Sequence, residues 1–167
     1  MINARLADEH DIKDIFDWRN DKNTRLQSHN SKEIFWEDHE NWYKNSLKDK
    51  NIHMLICEES MDKSKIGVVR FDIQNDFSIV SINLSPQMKG MGLGFLCLKN
   101  SILRFKKDFE HIKYLVAEIK IDNIPSIRIF EKVGFIFEKK SNNINQYKLI
   151  LWTLLLKELE KNIQKRT

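Results

Sequence analysis

Three glycines spaced two apart, Gly90, Gly92 and Gly94, stand between an alternating apolar run and a long amphipathic one. Upstream, Val80, Ile82 and Leu84 share one face of residues 79–84, with Ser81 and Asn83 on the other, the pattern of a strand. Downstream, Phe95, Leu98, Ile102 and Phe105 recur at helical steps. A strand, a glycine turn and a helix start together present backbone N–H groups that lack an intrahelical partner. The helix dipole adds partial positive charge there, and glycines let an anion approach the backbone. The chemistry implied is phosphate binding by the stretch Gln87, Met88, Lys89, Gly90, Met91, Gly92, Leu93 and Gly94. A tight turn that binds nothing is the other reading. Phe95 takes the place of the third glycine of a dinucleotide fingerprint, and the Gly-Lys-Ser/Thr of a nucleotide-binding loop is absent.

A second stretch, residues 117–135, has a strand-like start and then the markers of a capped helix. Asn123 suits the cap, Pro125 the first turn, and Gly134 the left-handed position past the end. With the Gln87-x-x-Gly90-x-Gly92 spacing, this stretch resembles the GNAT N-acetyltransferase superfamily. There Arg/Gln-x-x-Gly-x-Gly/Ala holds the pyrophosphate of coenzyme A, and a helix opening at Asn closes on Glu-Lys-x-Gly-Phe, here Glu131 to Phe135. The resemblance covers residues 60–138 well and the N-terminal third less tightly.

The resemblance implies an enzyme that moves an acetyl group from acetyl-CoA directly to an amine. The cofactor arm would lie between splayed fourth and fifth strands, beside Ile82 and Leu84, with the backbone N–H near Leu84 polarising the thioester. Asn123, Ser126, Phe130 and Lys132 of the last helix would line its other side. The superfamily often has a proton-donating Tyr where Phe130 stands. Phenylalanine cannot donate, so a water, another donor, or unaided departure of a thiolate of pKa ~8.5 is implied. Neither Cys57 nor Cys97 has a convincing His partner, which argues against an acyl-enzyme.

The acceptor side rests on Trp18-Arg19-Asn20, Arg70 and Glu118. The Trp-Arg-Asn run and the Glu-Asp-His-Glu-x-Trp of residues 37–42 resemble a GNAT subgroup that acetylates amino sugars on nucleotide carriers, the pseudaminic acid pathway type. By that resemblance Arg19 would pair with phosphates, while the residues alone leave Trp18 a packing residue and Arg19 a solvated one. Arg70 and Asp72, on one face in mid-strand, form either a surface ion pair or a polar acceptor wall. Glu118 is the candidate base, with a solvated edge or a bridge to Lys120 as its plain reading. His39 reads as a packing or capping residue. Acetylation of a protein N-terminus, such as that of a ribosomal protein, is the alternative activity, and a coenzyme A-binding sensor without turnover the alternative class.

These residues need elements to position them. Residues 2–6, 51–58, 66–73, 79–84, 111–119 and 135–139 read as strands; residues 147–156 are a seventh strand or a helical tail. Helices are expected after Asp8, over residues 36–47, over the run from Phe95, and after Asn123, while residues 22–34 read as an aperiodic loop. The expected fold is α+β, a GNAT-like mixed, mostly antiparallel sheet of six or seven strands flanked by about four helices. A single domain over residues 1–167 is expected.

The composition, 41% hydrophobic and 31% charged, is that of a soluble globule. No run approaches the roughly 20 apolar residues of a membrane helix, and no signal-peptide core opens the chain. The two cysteines read as buried thiols in a reducing cytoplasm. The net charge of +4 suits an anionic cofactor, without the basic stripe that nucleic acid requires. The five histidines show no ligand spacing, so no metal is expected. A small-molecule amine is the expected partner, and the chain is expected to be a monomer or homodimer.

Overall fold

The computed structural model describes residues 1–151. The strands are β1 (Ile2–Leu6), β2 (Ile52–Glu59), β3 (Lys65–Ile73), β4 (Phe77–Leu84), β5 (Tyr114–Lys120), β6 (Ile136–Ser141) and β7 (Ile144–Ile150). The helices are α1 (Ile12–Asn20), α2 (Lys22–Gln27), α3 (Trp36–Ser46), α4 (Gly94–Asp108) and α5 (Ile124–Val133). One sheet runs in the order β1-β2-β3-β4-β5-β7-β6. Its neighbours are antiparallel except β4 and β5.

Alternation decides which helix each strand face receives. Leu55, Val69, Phe71 and Val80 point to one side, where they form the main core with Leu98, Ile102 and Phe105 of α4 and Phe130 of α5. Met54, Ile56 and Val68 point to the other and pack against Ile15 and Trp18 of α1 and Tyr43 of α3. Central strands covered on both faces read as continuous apolar runs, which is why residues 54–57 show no polar alternation.

The sequence reading differs from this in a few places. Residues 22–34, read as an aperiodic loop, hold a helix, α2, which makes five helices among the described residues. With six residues and no apolar stripe, α2 has no periodicity to read; the Asp21 side chain caps it by accepting from Thr24 N. Asp8 caps a 3-10 turn (Glu9–Asp11) that leads into α1, not α1 itself. The fifth strand begins at Tyr114 rather than 111, because Ile112 N turns back to Phe109 O. The last strand ends at Ile150, which settles residues 147–150 as strand; residues 152–156 of the expected tail lie outside the described residues. Cys57 and Cys97 are both buried and free.

One ion cluster ties α1 to the sheet. Arg5 of β1 grips both carboxylate oxygens of Asp11 at 2.7 and 2.8 Å, Lys65 of β3 lies 2.7 Å away, and Asp8 N donates at 2.9 Å. Asp11 is wholly buried. Burial alone would raise its pKa, but these donors outweigh it and hold the carboxyl at about 2. Without the Asp11 charge, Arg5 keeps Glu58 and Lys65 keeps Asp14, but both part-buried cations lose the wholly buried carboxylate they share. Asp11→Asn is therefore expected to cost about 3–5 kcal/mol in urea unfolding at pH 7. A depressed carboxyl stabilises fully above the unfolded pKa of ~4 and loses that effect as pH falls through its folded value. The gap between wild type and variant should therefore close as pH falls from about 4 toward 2; a pH-independent gap would show that the Asp11 charge is not what matters.

Candidate active site

The parallel ladder between β4 and β5 is short. It pairs Phe77 with Tyr114, Ser78 with Leu115 and Ile79 with Val116. Beyond it β4 stays on β3 as far as Leu84, and β5 stays on β7 as far as Lys120. The two strands therefore part. Ser85 N donates to Ile66 O, and Gln74 N to Phe77 O. Bonded pairs alternate along an antiparallel ladder, so Ser81 and Asn83 spend their backbone groups on β3. Those of Ile82 and Leu84 point into the gap, while their side chains pack on the main core.

On the opposite side of the sheet, α2 and residues 28–30 span the gap. The Thr24 hydroxyl lies 3.5 Å from Asn83 Oδ1 of β4. His29 Nε2 lies 3.3 Å from the Glu118 carbonyl of β5, and Lys120 Nζ donates to Leu26 O at 2.7 Å. Lys120 is thus engaged with α2 rather than with Glu118, whose carboxylate instead faces His29 Nδ1 at 4.0 Å.

The glycine turn follows β4. Ser85 Oγ donates to Gln87 Oε1 at 2.6 Å, and Pro86–Met88 makes a 3-10 turn. Gly90 and Gly92 have φ of +78° and +74°, and a Cβ on either would meet nothing within 4 Å. Both conformations favour glycine, and the space beside them is open. Gly94 is a glycine for another reason: a Cβ there would stand 2.7 Å from Ile129 Cδ1 and 3.3 Å from Leu84 Cδ1, so it lets α4 pack against α5 and β4.

No side chain caps α4 at Leu93, and Cys97 N to Leu93 O is its opening bond. A 15-residue helix thus starts on uncapped N–H groups next to the open side of the turn. Lys132 Nζ lies 4.6 Å from the centre of the Phe95 ring, which puts a cation beside this helix start. A pyrophosphate-bearing group suits that combination. Lys89 reaches the other way, donating to Asp21 Oδ1 at 2.8 Å and to the Thr24 hydroxyl. Lys89 holds Asp21 at about 2, below the usual carboxylate range, and so links the glycine turn to α2.

Across the gap, Asn123 caps α5 by accepting from Ser126 N at 3.2 Å, and Gly134 ends it at φ +116°. Phe130 is 2% exposed and lies edge-on to Phe135, a core residue at this position. Met88 and Leu93 pack partly into the core, whereas Met91 is exposed.

The three acceptor-side residues of α1 separate. Trp18 is 6% exposed in the second core. Asn20 clamps Ile34, donating to its O and accepting from its N, both at 2.9 Å. These two are committed to the fold. Arg19 Nη2 donates to Asn30 O at 2.6 Å, while Nη1 is buried without a partner, as is Nε of Arg25 on α2. Burial, and then the nearby Arg25 charge, lower the Arg19 pKa. Arg25 is absent from the sequence reading because its segment shows no period. Arg70 lies one strand back from the gap, opposite Ser81. It forks onto Asp72 at 2.6–3.0 Å and lies over Trp42 at 5.5 Å. Of the two readings of this face, the ion pair is the one the structure has. His39 is buried among aromatic rings with Nε2 on Ile12 O at 3.0 Å, away from the gap.

The family model for the acetyltransferase (GNAT) domain matches residues 2–136. A spermidine N-acetyltransferase from Vibrio cholerae, solved with CoA and spermine, superposes with a TM-score of 0.81 at 14% identity, over 92% of this chain and 98% of that one. A domain from Methanocaldococcus jannaschii DSM 2661 superposes with a TM-score of 0.77 at 24% identity, over 90% and 98%. No curated protein matches the sequence.

If the open turn seats a pyrophosphate, Gly92→Val should fold but bind coenzyme A at least tenfold more weakly, about 1.4 kcal/mol by calorimetry. Unchanged affinity in the folded variant would remove the turn from the binding site.

Proposed function

The chain belongs to the GNAT acetyltransferase family and is an acetyl-CoA-dependent N-acetyltransferase, and on that premise we propose that its acceptor is a primary amine carrying an anionic group, an amino sugar on a nucleotide carrier. The observation that carries this is the Arg19–Arg25 pair. Two guanidinium groups lie close enough for one to lower the pKa of the other, and each keeps a buried nitrogen without a partner. Arg25 faces Glu33 through Nη1 at 3.7 Å, which leaves its buried Nε and Nη1 of Arg19 as donors for an anion on the acceptor. A polyamine would meet Arg19, Arg25 and Lys120 as repulsion.

Acetyl-CoA supplies the acetyl group as an activated thioester. The residues suited to hold it are the glycine turn from Gln87 to Gly94, the first N–H groups of α4, the gap-facing groups of Ile82 and Leu84, and Asn123, Ser126 and Lys132 on α5. The Leu84 N–H is the candidate oxyanion donor. Glu118, on β5 at the same gap, is the carboxylate placed to receive the attacking amine. An amine of pKa near ~8 costs about 1.4 kcal/mol to deprotonate at pH 7, against about 4.6 for a lysine at ~10.4, so modest assistance is enough. Phe130 offers no proton to the leaving thiolate, and no other donor is required for a thiol of pKa ~8.5.

The test is thiol release from acetyl-CoA with UDP-glucosamine, spermidine and a glycine-terminated peptide. Turnover is expected with UDP-glucosamine and little with spermidine. Arg19→Ala should raise the KM for UDP-glucosamine about tenfold with kcat nearly unchanged, since phosphate contacts persist from ground to transition state. Preferred turnover of spermidine, or an Arg19→Ala variant with wild-type KM, would move the acceptor to another class of amine.

A further inference from the structure

The loop after α2 brings His29 against β5. Its Nε2 lies 3.3 Å from the Glu118 backbone oxygen. A carbonyl can only accept, so Nε2 donates here, and in the neutral ring Nδ1 then carries the lone pair. That lone pair faces Glu118 Oε2 at 4.0 Å. The two groups are acceptors at a separation too long for a hydrogen bond and short enough to share one donor. An ammonium nitrogen about 2.8 Å from each would bridge them at an angle two of its N–H bonds can meet. A third acceptor stands beside them. Gln146 of β7 pairs across from Glu118, and its buried Oε1 has no partner, a condition that asks for a donor.

We propose that His29 is a second catalytic residue. With the Glu118 carboxylate, which offsets the neighbouring cations for a single ammonium, it seats the acceptor's amine, and its Nδ1 takes the proton. This rests on the acetyltransferase reading and extends its acceptor site. The step balances simply. One N–H bond of the ammonium breaks, an Nδ1–H bond forms, and the amine's lone pair is freed to attack the acetyl carbonyl. The resulting imidazolium lies between the Glu118 carboxylate and its backbone oxygen. The other charges around it are Lys120 on β5, held at Leu26 O, Arg19 of α1, held at the adjacent Asn30 O, and Arg25 of α2, facing Glu33 at 3.7 Å. At 53% exposure His29 can return its proton to water after each turnover. The pairing has no local signal, because residues 29 and 118 are 89 apart.

The test combines kinetics with a readout that needs no turnover. On whichever amine turns over, His29→Gln should lower kcat at least tenfold at pH 7, with the loss shrinking as pH rises and the amine deprotonates unaided. Coenzyme A affinity should be unchanged. Separately, the imidazole resonances of His29 in the wild type should shift on addition of the accepted amine, UDP-glucosamine or spermidine, and not on addition of UDP-glucose. A His29→Gln variant with wild-type kcat from pH 6 to 9 would overturn the assignment, as would His29 resonances indifferent to both amines. Failure of the wild type to turn over any acceptor would instead strike the acetyltransferase reading itself, and the resonance experiment would still decide the seat for the ammonium.

Discussion

Everything functional in this chain depends on the parting of β4 from β5 after Ile79 and Val116. A parallel sheet normally satisfies each strand's backbone on both sides. Here β4 is satisfied by β3 alone from Val80 onward, and β5 by β7 alone, so two rows of backbone groups face one another across an open wedge. Leaving such groups unpaired in a dry interior would cost about 1–3 kcal/mol each. The wedge is stable because Ile82 and Leu84 remain only partly buried and their side chains still pack on the core. The backbone is thereby kept available for an extended ligand that pairs like a strand.

The glycine turn and α2 are consequences of that geometry. Since β4 ends free of β5, the chain can turn through Gly90 and Gly92 and begin α4 on N–H groups that no side chain caps. Gly94 makes the close packing of α4 against α5 and β4 possible. On the other face, Lys89 ties the turn to Asp21, the cap of α2, and α2 with residues 28–30 bridges the wedge from Asn83 to Glu118. The glycine turn and α2 are therefore joined through one lysine. Arg19 and His29 meet at residues 29–30, and His29 in turn reaches Glu118, the residues on which the proposed acceptor site rests.

How much of this is legible in the sequence follows from what is local. The strand alternation before Gly90, the helical seam after Gly94, and the Asn123 cap with its Gly134 stop are each encoded within a few residues, and the structure has them within a residue or two. The three glycines look alike in sequence, yet two answer to positive φ and one to side-chain packing, a distinction that needs Ile129 and Leu84 in place. Trp18, Arg19 and Asn20 look like one motif, but a helix turns them about 100° apart, so Trp18 enters the core, Asn20 grips Ile34, and Arg19 alone is left toward Arg25. Residues 22–27 are helical through a cap and a tertiary bond from Lys89, neither of which produces a period. Glu118 is visible as a lone acid in a strand; its partner His29 is not, since only the closed sheet brings them together.

The central claim is that the gap-facing backbone of β4 is a binding surface for acetyl-CoA. Amide hydrogen exchange on this strand tests it with an internal control, because neighbouring residues alternate between the two sides. In the free protein, Ser81 and Asn83, bonded to β3, should exchange slowly, and Ile82 and Leu84 should exchange fast. Saturating acetyl-CoA should slow Ile82 and Leu84, together with the N–H groups of residues 92–95, and leave Ser81 and Asn83 as they were. Unchanged exchange at Ile82 and Leu84 in the presence of bound acetyl-CoA would contradict the account.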